Sequence, residues 1–249
     1  MFPTSRMWRR RALISSASAV IFAGTLSQYA SGQTADSSST QHPKARVDPG
    51  LTYQMQTDPS HQVTLPHLTQ FPDSAALKSV NTDLNRQQHE LLADAQRCIS
   101  INRPLASWEQ TSRVSVLTRD VLSIDILVSY YCGGPHPDEQ YFPLTYNLRT
   151  GRQFDFDRDA AKIFKADRLP SDQLIGLYKQ AYPPDSGECN PSLIEPGTKL
   201  FLHLESTGLS ITPEMPHVAA ACGPEIVISY QQLRTLLKDG NPFQKLVGP

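Results

Sequence analysis

The sequence predicts an α+β fold: an antiparallel sheet packed by one long helix and several short helices, braced by disulfides. Three observations lead there. Between Leu77 and Cys98 the apolar residues recur with the period of a helix face. From Ser112 onward the period drops to two. Those runs are joined by hairpin-type turns and do not alternate one by one with helices, which favours antiparallel pairing. Four cysteines occur in a chain whose N-terminus reads as an export signal, and in an oxidising compartment thiols pair.

Arg6, Arg9, Arg10 and Arg11 form a basic stretch, Ala12 to Leu26 is apolar and uncharged, and Ala30-Ser31-Gly32 offers small residues to a signal peptidase. Residues 1–32 are therefore expected to be a cleaved signal peptide, and the chain exported to the periplasm or beyond. The apolar run is shorter than the ~20 residues of a spanning helix, so no stable membrane anchor is expected. Cleavage removes four arginines and no acid, taking the formal net charge from −1 to −5. With no Lys/Arg run after Arg11, this speaks against a nucleic-acid partner. Residues 33–50, rich in Ser, Thr, Gln, Pro and Asp, are expected to be a disordered linker. Residues 51–249 suit one domain.

Pro72-Asp73-Ser74 supplies a helix start, and Leu77, Val80, Leu84, Leu91, Ala95 and Cys98 form the apolar face of a helix ending before Pro104. Val114 and Val116 alternate with Arg113 and Ser115 as a half-buried strand. In the next strand Leu122, Ile124, Ile126, Val128, Tyr130 and Cys132 share the inward parity, while Ser123, Asp125, Leu127, Ser129 and Tyr131 share the other. Phe142, Leu144, Tyr146 and Leu148 alternate again before the turn Arg149-Thr150-Gly151. Residues 157–166 and 171–181 read as short helices. Leu200, Leu202 and Leu204 lead through Ser206-Thr207-Gly208 into Leu209-Ser210-Ile211 as a hairpin. Ile226 and Ile228 make a last strand, and Tyr230 to Lys238 a closing helix.

Cys98, Cys132, Cys189 and Cys222 allow three disulfide pairings. Cys98 ends a core-facing helix stripe and Cys132 a core-facing strand, which favours Cys98 with Cys132 and, by exclusion, Cys189 with Cys222. Their wide spacing is unlike the close pairs of a zinc site, so no metal and no cofactor is expected.

The order of elements resembles the RsiV-like family of exported domains, with an N-terminal half that resembles the PdaC module. The residues concerned are Leu65-Pro66 to Asn81 with its helix, the loop Cys132-Gly133-Gly134-Pro135-His136, and Tyr146-Asn147-Leu148-Arg149-Thr150-Gly151. Leu209-Ser210-Ile211, Gly223-Pro224-Glu225 and the helix from Tyr230 complete the set. The resemblance spans about 51–245 and implies a PdaC-like part over about 51–120 and an RsiV-like part over about 121–245. Members of that family include an ectodomain that senses lysozyme, accessory domains of peptidoglycan deacetylases and secreted antigens. What carries over is a fold and an envelope location.

No G-x-S-x-G elbow, phosphate loop, dinucleotide fingerprint or H-E-x-x-H pattern occurs. His136, beside Asp138 and Glu139, invites a catalytic reading but lacks the rest of a constellation. His203 and His217 flank the hairpin and read as structural or surface residues. Tyr131 and Tyr141 have outward parity next to the His136 loop, and exposed aromatics on a stiff support are what a contact surface uses. The expected function is non-catalytic binding of an envelope protein or a peptidoglycan fragment through Tyr131, His136 and Tyr141. The alternative is an esterase- or amidase-type hydrolase using His136.

Overall fold

The computed structural model describes residues 42–58, 63–101, 105–183 and 189–247. The chain divides into two units, 1–40 and 41–249, and every described residue belongs to the second. The expected signal peptide lies outside the described residues. In chain order come β1 (Arg46–Val47), β2 (Thr52–Asp58), β3 (Val63–Gln70), α1 (Ser74–Ile101), β4 (Ser107–Leu117), β5 (Val121–Tyr131), β6 (Asp138–Tyr141), β7 (Leu144–Asn147) and β8 (Arg152–Phe154). The C-terminal half adds α2 (Ala160–Ile163), α3 (Ser171–Ala181), β9 (Leu200–Leu204), β10 (Gly208–Pro213), β11 (Ile226–Ser229), α4 (Tyr230–Leu233) and α5 (Gln244–Val247). Two short 3₁₀ turns precede β9 and β11. The architecture is α+β with one long helix and two disulfides, Cys98–Cys132 and Cys189–Cys222. Among the described residues no helix is long and apolar enough to cross a membrane.

The main sheet runs β1-β4-β5-β7-β8, with β6 also paired to β5. It is antiparallel except where β1 joins β4 in parallel. β1 corrects the expected linker: residues 42–50 include a strand paired to Val116 and Leu117, whose two-residue length leaves no period to read. Leu127↔Tyr141 and Ile124↔Leu144 keep one register, so β6 and β7 form a single line along β5, interrupted at Pro143, which has no N–H to donate.

α1 begins where Asp73 Oδ1 accepts from the backbone N–H groups of Ala75 and Ala76, capping two free donors. Its apolar stripe packs on one face of the sheet beside the β2–β3 hairpin. Asn81, buried on that stripe, binds both the N–H and the C=O of Leu68 and so ties helix to hairpin. Leu122, Ile124, Ile126 and Val128 fill this core with Val80, Leu84 and Tyr146. Fully burying side chains of this size stabilises by roughly 1.5–3 kcal/mol each. Gly151, at φ 64°, brings its turn against α1 so closely that a Cβ would lie 2.9 Å from Ser79 Cβ.

A second core lies in the C-terminal half, where Leu202, Leu204, Leu209, Ile211 and Ile228 of the β9–β10–β11 sheet meet Leu174, Tyr178, Phe164 and Leu233. A bulge between Val114 and Val116 turns β4 over, so that Val114 joins the first core and Val116 the second. The β4–β5 pairing knits the chain together across residue 120.

Two helices are shorter than their periodicity suggests. Ahead of α2, Asp155 Oδ1 takes the N–H groups of Asp157 and Arg158 and makes a turn of what reads as helix. After α4, the backbone of residues 236–238 bonds residues 163–165 instead: Lys165 N–H donates to Leu236 O and Lys238 N–H to Ile163 O.

Candidate functional site

The outward-parity residues of β4 and β5 do not all face water. Arg113 pairs across from Asp125, and both lie on the face opposite α1 with Leu127, Ser129 and Tyr131. Tyr141, opposite Leu127, shares that face. On the C-terminal sheet, Phe201, His203 and Glu205 alternate with the core residues Leu202 and Leu204, and Ser210 stands directly across from His203. These two polar faces meet. The join is made by small residues: Ser115 Oγ donates to Leu204 O, and Leu204 N–H donates to Ser123 Oγ at 2.9 Å. Serine at both positions lets β9 approach the β4–β5 backbone; a bulkier side chain would hold the sheets apart.

A layer of charge is trapped at the join. Arg113 Nη2 donates to Glu205 Oε1 at 2.6 Å and to Asp125 Oδ2 at 3.3 Å, and lies 3.7 Å from Glu225 Oε1. It also donates to His42 Nδ1 at 3.0 Å, which requires an unprotonated Nδ1. His203 Nε2 lies 3.0 Å from Glu205 Oε1 and 3.6 Å from Glu225 Oε1. The side chains of Glu205, His203 and Glu225 are 0%, 4% and 8% exposed, whereas His42, at 37%, forms the outer margin. Burial alone would raise the Glu205 carboxyl, but hydrogen bonds from His203 and Arg113 together with their charge hold it below the usual range. It is thus an anion, and an anion only accepts, so His203 Nε2 carries the shared proton. Burial would lower the Arg113 pKa; Glu205, Asp125 and Glu225 reverse that and raise it.

Several buried polar atoms of this layer make no hydrogen bond: Arg113 Nε and Nη1, Asp125 Oδ1, Glu205 Oε2, Glu225 Oε1 and Ser210 Oγ. Two sets of potential ligand atoms lie within 4.8 Å of one another, His42–Asp125–Glu225 and His203–Glu205–Glu225. Sequence reasoning expects no metal-ligand set and reads His203 as structural or surface. The available signal was the i, i+2 pair His203 and Glu205 on one strand face; what sequence cannot show is that this face meets a second sheet. The side chain of His217 lies outside the described residues.

The layer opens onto the expected contact face. Tyr131, Ser129, Leu127 and Tyr141 are half-buried there. Tyr141 stands at the boundary, its ring 6.3 Å from that of Phe201, and Lys199 Nζ sits 4.4 Å over the Phe201 ring. Burial, followed by the charges of Glu139, Glu225 and Asp125, pushes the Tyr141 hydroxyl up to about 12. His136 is exposed in the loop between β5 and β6. That loop is held by the Cys98–Cys132 bond, by the Tyr131 hydroxyl donating to Gly134 O at 2.9 Å and by Tyr130 donating to Asp138 Oδ2 at 3.1 Å. Gly133 takes φ 91°, which a side chain would disfavour. Tyr131 and Tyr141 thus share a sheet face, with His136 on the loop at its end.

No protein-family profile and no curated protein matches the chain. Two solved structures that resemble it are members of the DUF3298 family. One, from Bacteroides fragilis NCTC 9343, has 16% identity and a TM-score of 0.46, covering 80% of this chain and 95% of its own. The other, from Pseudomonas aeruginosa PAO1, has 14% identity and a TM-score of 0.49, covering 76% and 93%.

Proposed function

We propose that the chain is an exported envelope domain, RsiV-like with a PdaC-like N-terminal half, that binds an envelope protein or a cell-wall glycan without transforming it. One observation carries this reading: Tyr131 and Tyr141 stand on one rigid sheet face, next to a loop fixed by a disulfide at Cys132. Flat aromatic surface on a preorganised support binds at low entropic cost, because little is immobilised on contact. Export is supported by the leader-like residues 1–32 and by two disulfides, which persist in oxidising compartments.

Co-sedimentation with purified peptidoglycan, and affinity capture from envelope extract followed by binding measurements on the purified partner, test this. Tyr131→Ala should weaken either interaction about ten-fold or more, in line with loss of an aromatic anchor. Retained binding by Tyr131→Ala and Tyr141→Ala would reject the face. Turnover in an esterase and amidase screen that vanishes in His136→Ala would establish the hydrolase alternative instead. N-terminal sequencing of native protein settles the leader: a start near residue 33 is expected.

A further inference from the structure

We infer that the layer between the two sheets is a site for one divalent transition cation of the zinc class, ligated by His203 Nε2 and the carboxylates of Glu205 and Glu225. The inference goes beyond partner binding on the outer face and stands without it.

Charge is the first argument. Counted without the imidazoles, the carboxylates of Asp125, Glu205 and Glu225 face the one guanidinium of Arg113, leaving −2 in a layer with little access to water. Uncompensated buried charge is costly. Elsewhere in the molecule the carboxylates of this kind are matched: Asp120 has Arg149 and Lys245, and Asp159 has Arg158 and Lys162. A divalent cation brings the layer to neutrality.

The unpartnered atoms are a second and independent argument. Glu205 Oε2 and Glu225 Oε1 belong to side chains 0% and 8% exposed and make no hydrogen bond. Glu225 Oε1 points inward, 3.6 Å from His203 Nε2 and 3.7 Å from Arg113 Nη2. Buried acceptors normally have partners, so the idle Glu225 Oε1 facing the imidazole, beside a Glu205 carboxylate with Oε1 on His203 and Oε2 idle, marks a position made for a cation.

The spacing fits. Zinc bound to nitrogen or carboxylate oxygen at about 2.0–2.2 Å in tetrahedral geometry sets neighbouring ligands roughly 3.4 Å apart. The distances from His203 Nε2 to Glu205 Oε1 and Glu225 Oε1, 3.0 and 3.6 Å, bracket that value. The cation would take the place of the proton that His203 Nε2 shares with Glu205, and a neutral ring then carries its single proton on Nδ1. Calcium and magnesium prefer oxygen donors alone, so the imidazole points to zinc or a neighbouring first-row metal. Three protein ligands leave a coordination position for water.

Untagged, chelator-stripped protein titrated with zinc chloride by calorimetry at pH 7.5 tests this. Expected are about one equivalent of zinc, micromolar or tighter binding and a raised Tm; calcium should leave Tm unchanged. His203→Gln and Glu225→Gln should each weaken zinc about ten-fold or more, since even supporting residues of metal sites cost that much. Glu214→Gln, on the surface, should not. Affinity should fall as pH drops, because protons compete with the metal for the ligand atoms. Absence of one-to-one uptake, or affinity in both variants equal to that of the native protein, overturns the site. If either variant fails to fold, X-ray absorption of the zinc-loaded native protein decides: imidazole with oxygen supports the assignment, and a sulfur neighbour refutes it. Neither result depends on the outer-face binding measured above.

Discussion

On the α1 side of β5, Leu122, Ile124, Ile126 and Val128 are at most 1% exposed and lie in an apolar core. On its other side, Asp125 meets Arg113 and, across the join, Arg113 meets Glu205 and Glu225. The same strand is thus buried by two kinds of chemistry. Apolar burial is non-directional and tolerates neighbours of many shapes. Charge burial tolerates none without a partner at bonding distance, and a cluster that fails to neutralise itself calls for something from outside. This difference is why the apolar face builds the fold while the polar face supplies the candidate site.

The contrast can be broken most severely at Arg113. Arg113→Met strands Glu205 as a buried anion and should cost about 3–5 kcal/mol in urea unfolding, whereas Arg113→Met with Glu205→Leu should recover most of the loss. A single-variant cost below about 1 kcal/mol would mean that the layer is hydrated and not a buried ion network. Next comes the covalent tie. Replacing Cys98 and Cys132 by Ala opens a loop of 34 residues and should cost about 3–4 kcal/mol. It should also loosen the His136 loop, readable as faster amide exchange there. On the apolar side Ile126→Ala should cost about 2–4 kcal/mol through lost transfer energy and a cavity, with zinc uptake unaffected.

Titration sharpens the comparison at lower energy. The Glu205 carboxyl is depressed in the folded state, so its contribution is present above the unfolded carboxyl range and is lost as pH falls through the folded value. Glu205→Gln should therefore flatten the acid limb of stability against pH. The Tyr141 hydroxyl is raised to about 12, so its contribution is full below the ordinary value of 10 and disappears as pH rises towards 12. Tyr141→Phe should diminish the alkaline loss, measured by urea unfolding between pH 9 and pH 12. The smallest stability effect belongs to the outer face: Tyr131→Ala should change stability by no more than about 0.5 kcal/mol, because a half-exposed ring gives up little packing. Any larger loss would make Tyr131 a structural residue.

α1 is readable from residues because Asp73 and the stripe from Leu77 to Cys98 act within one helix. The β2–β3 hairpin is harder to see, since Pro66 sits inside β3, where a strand reading argues against it. Periods also overrun: residues 230–238 keep a helical pattern, yet the chain beyond Leu233 finds better backbone partners at residues 163–165. Tyr131 and Tyr141 are placed on one face by parity alone. His42, in residues that composition assigns to a linker, could not be placed at Arg113 from the sequence.

Residue order alone determined the α+β class, the long helix and the outward parity of Arg113, Asp125 and His203, because each depends on neighbours a few positions away. Only the tertiary structure decided that outward on one sheet means inward against another. Contacts such as Arg113 with Glu205 join residues 92 apart, and no local period carries information over that distance. Whether a charged side chain meets water or a second charge depends on where the rest of the chain comes to lie.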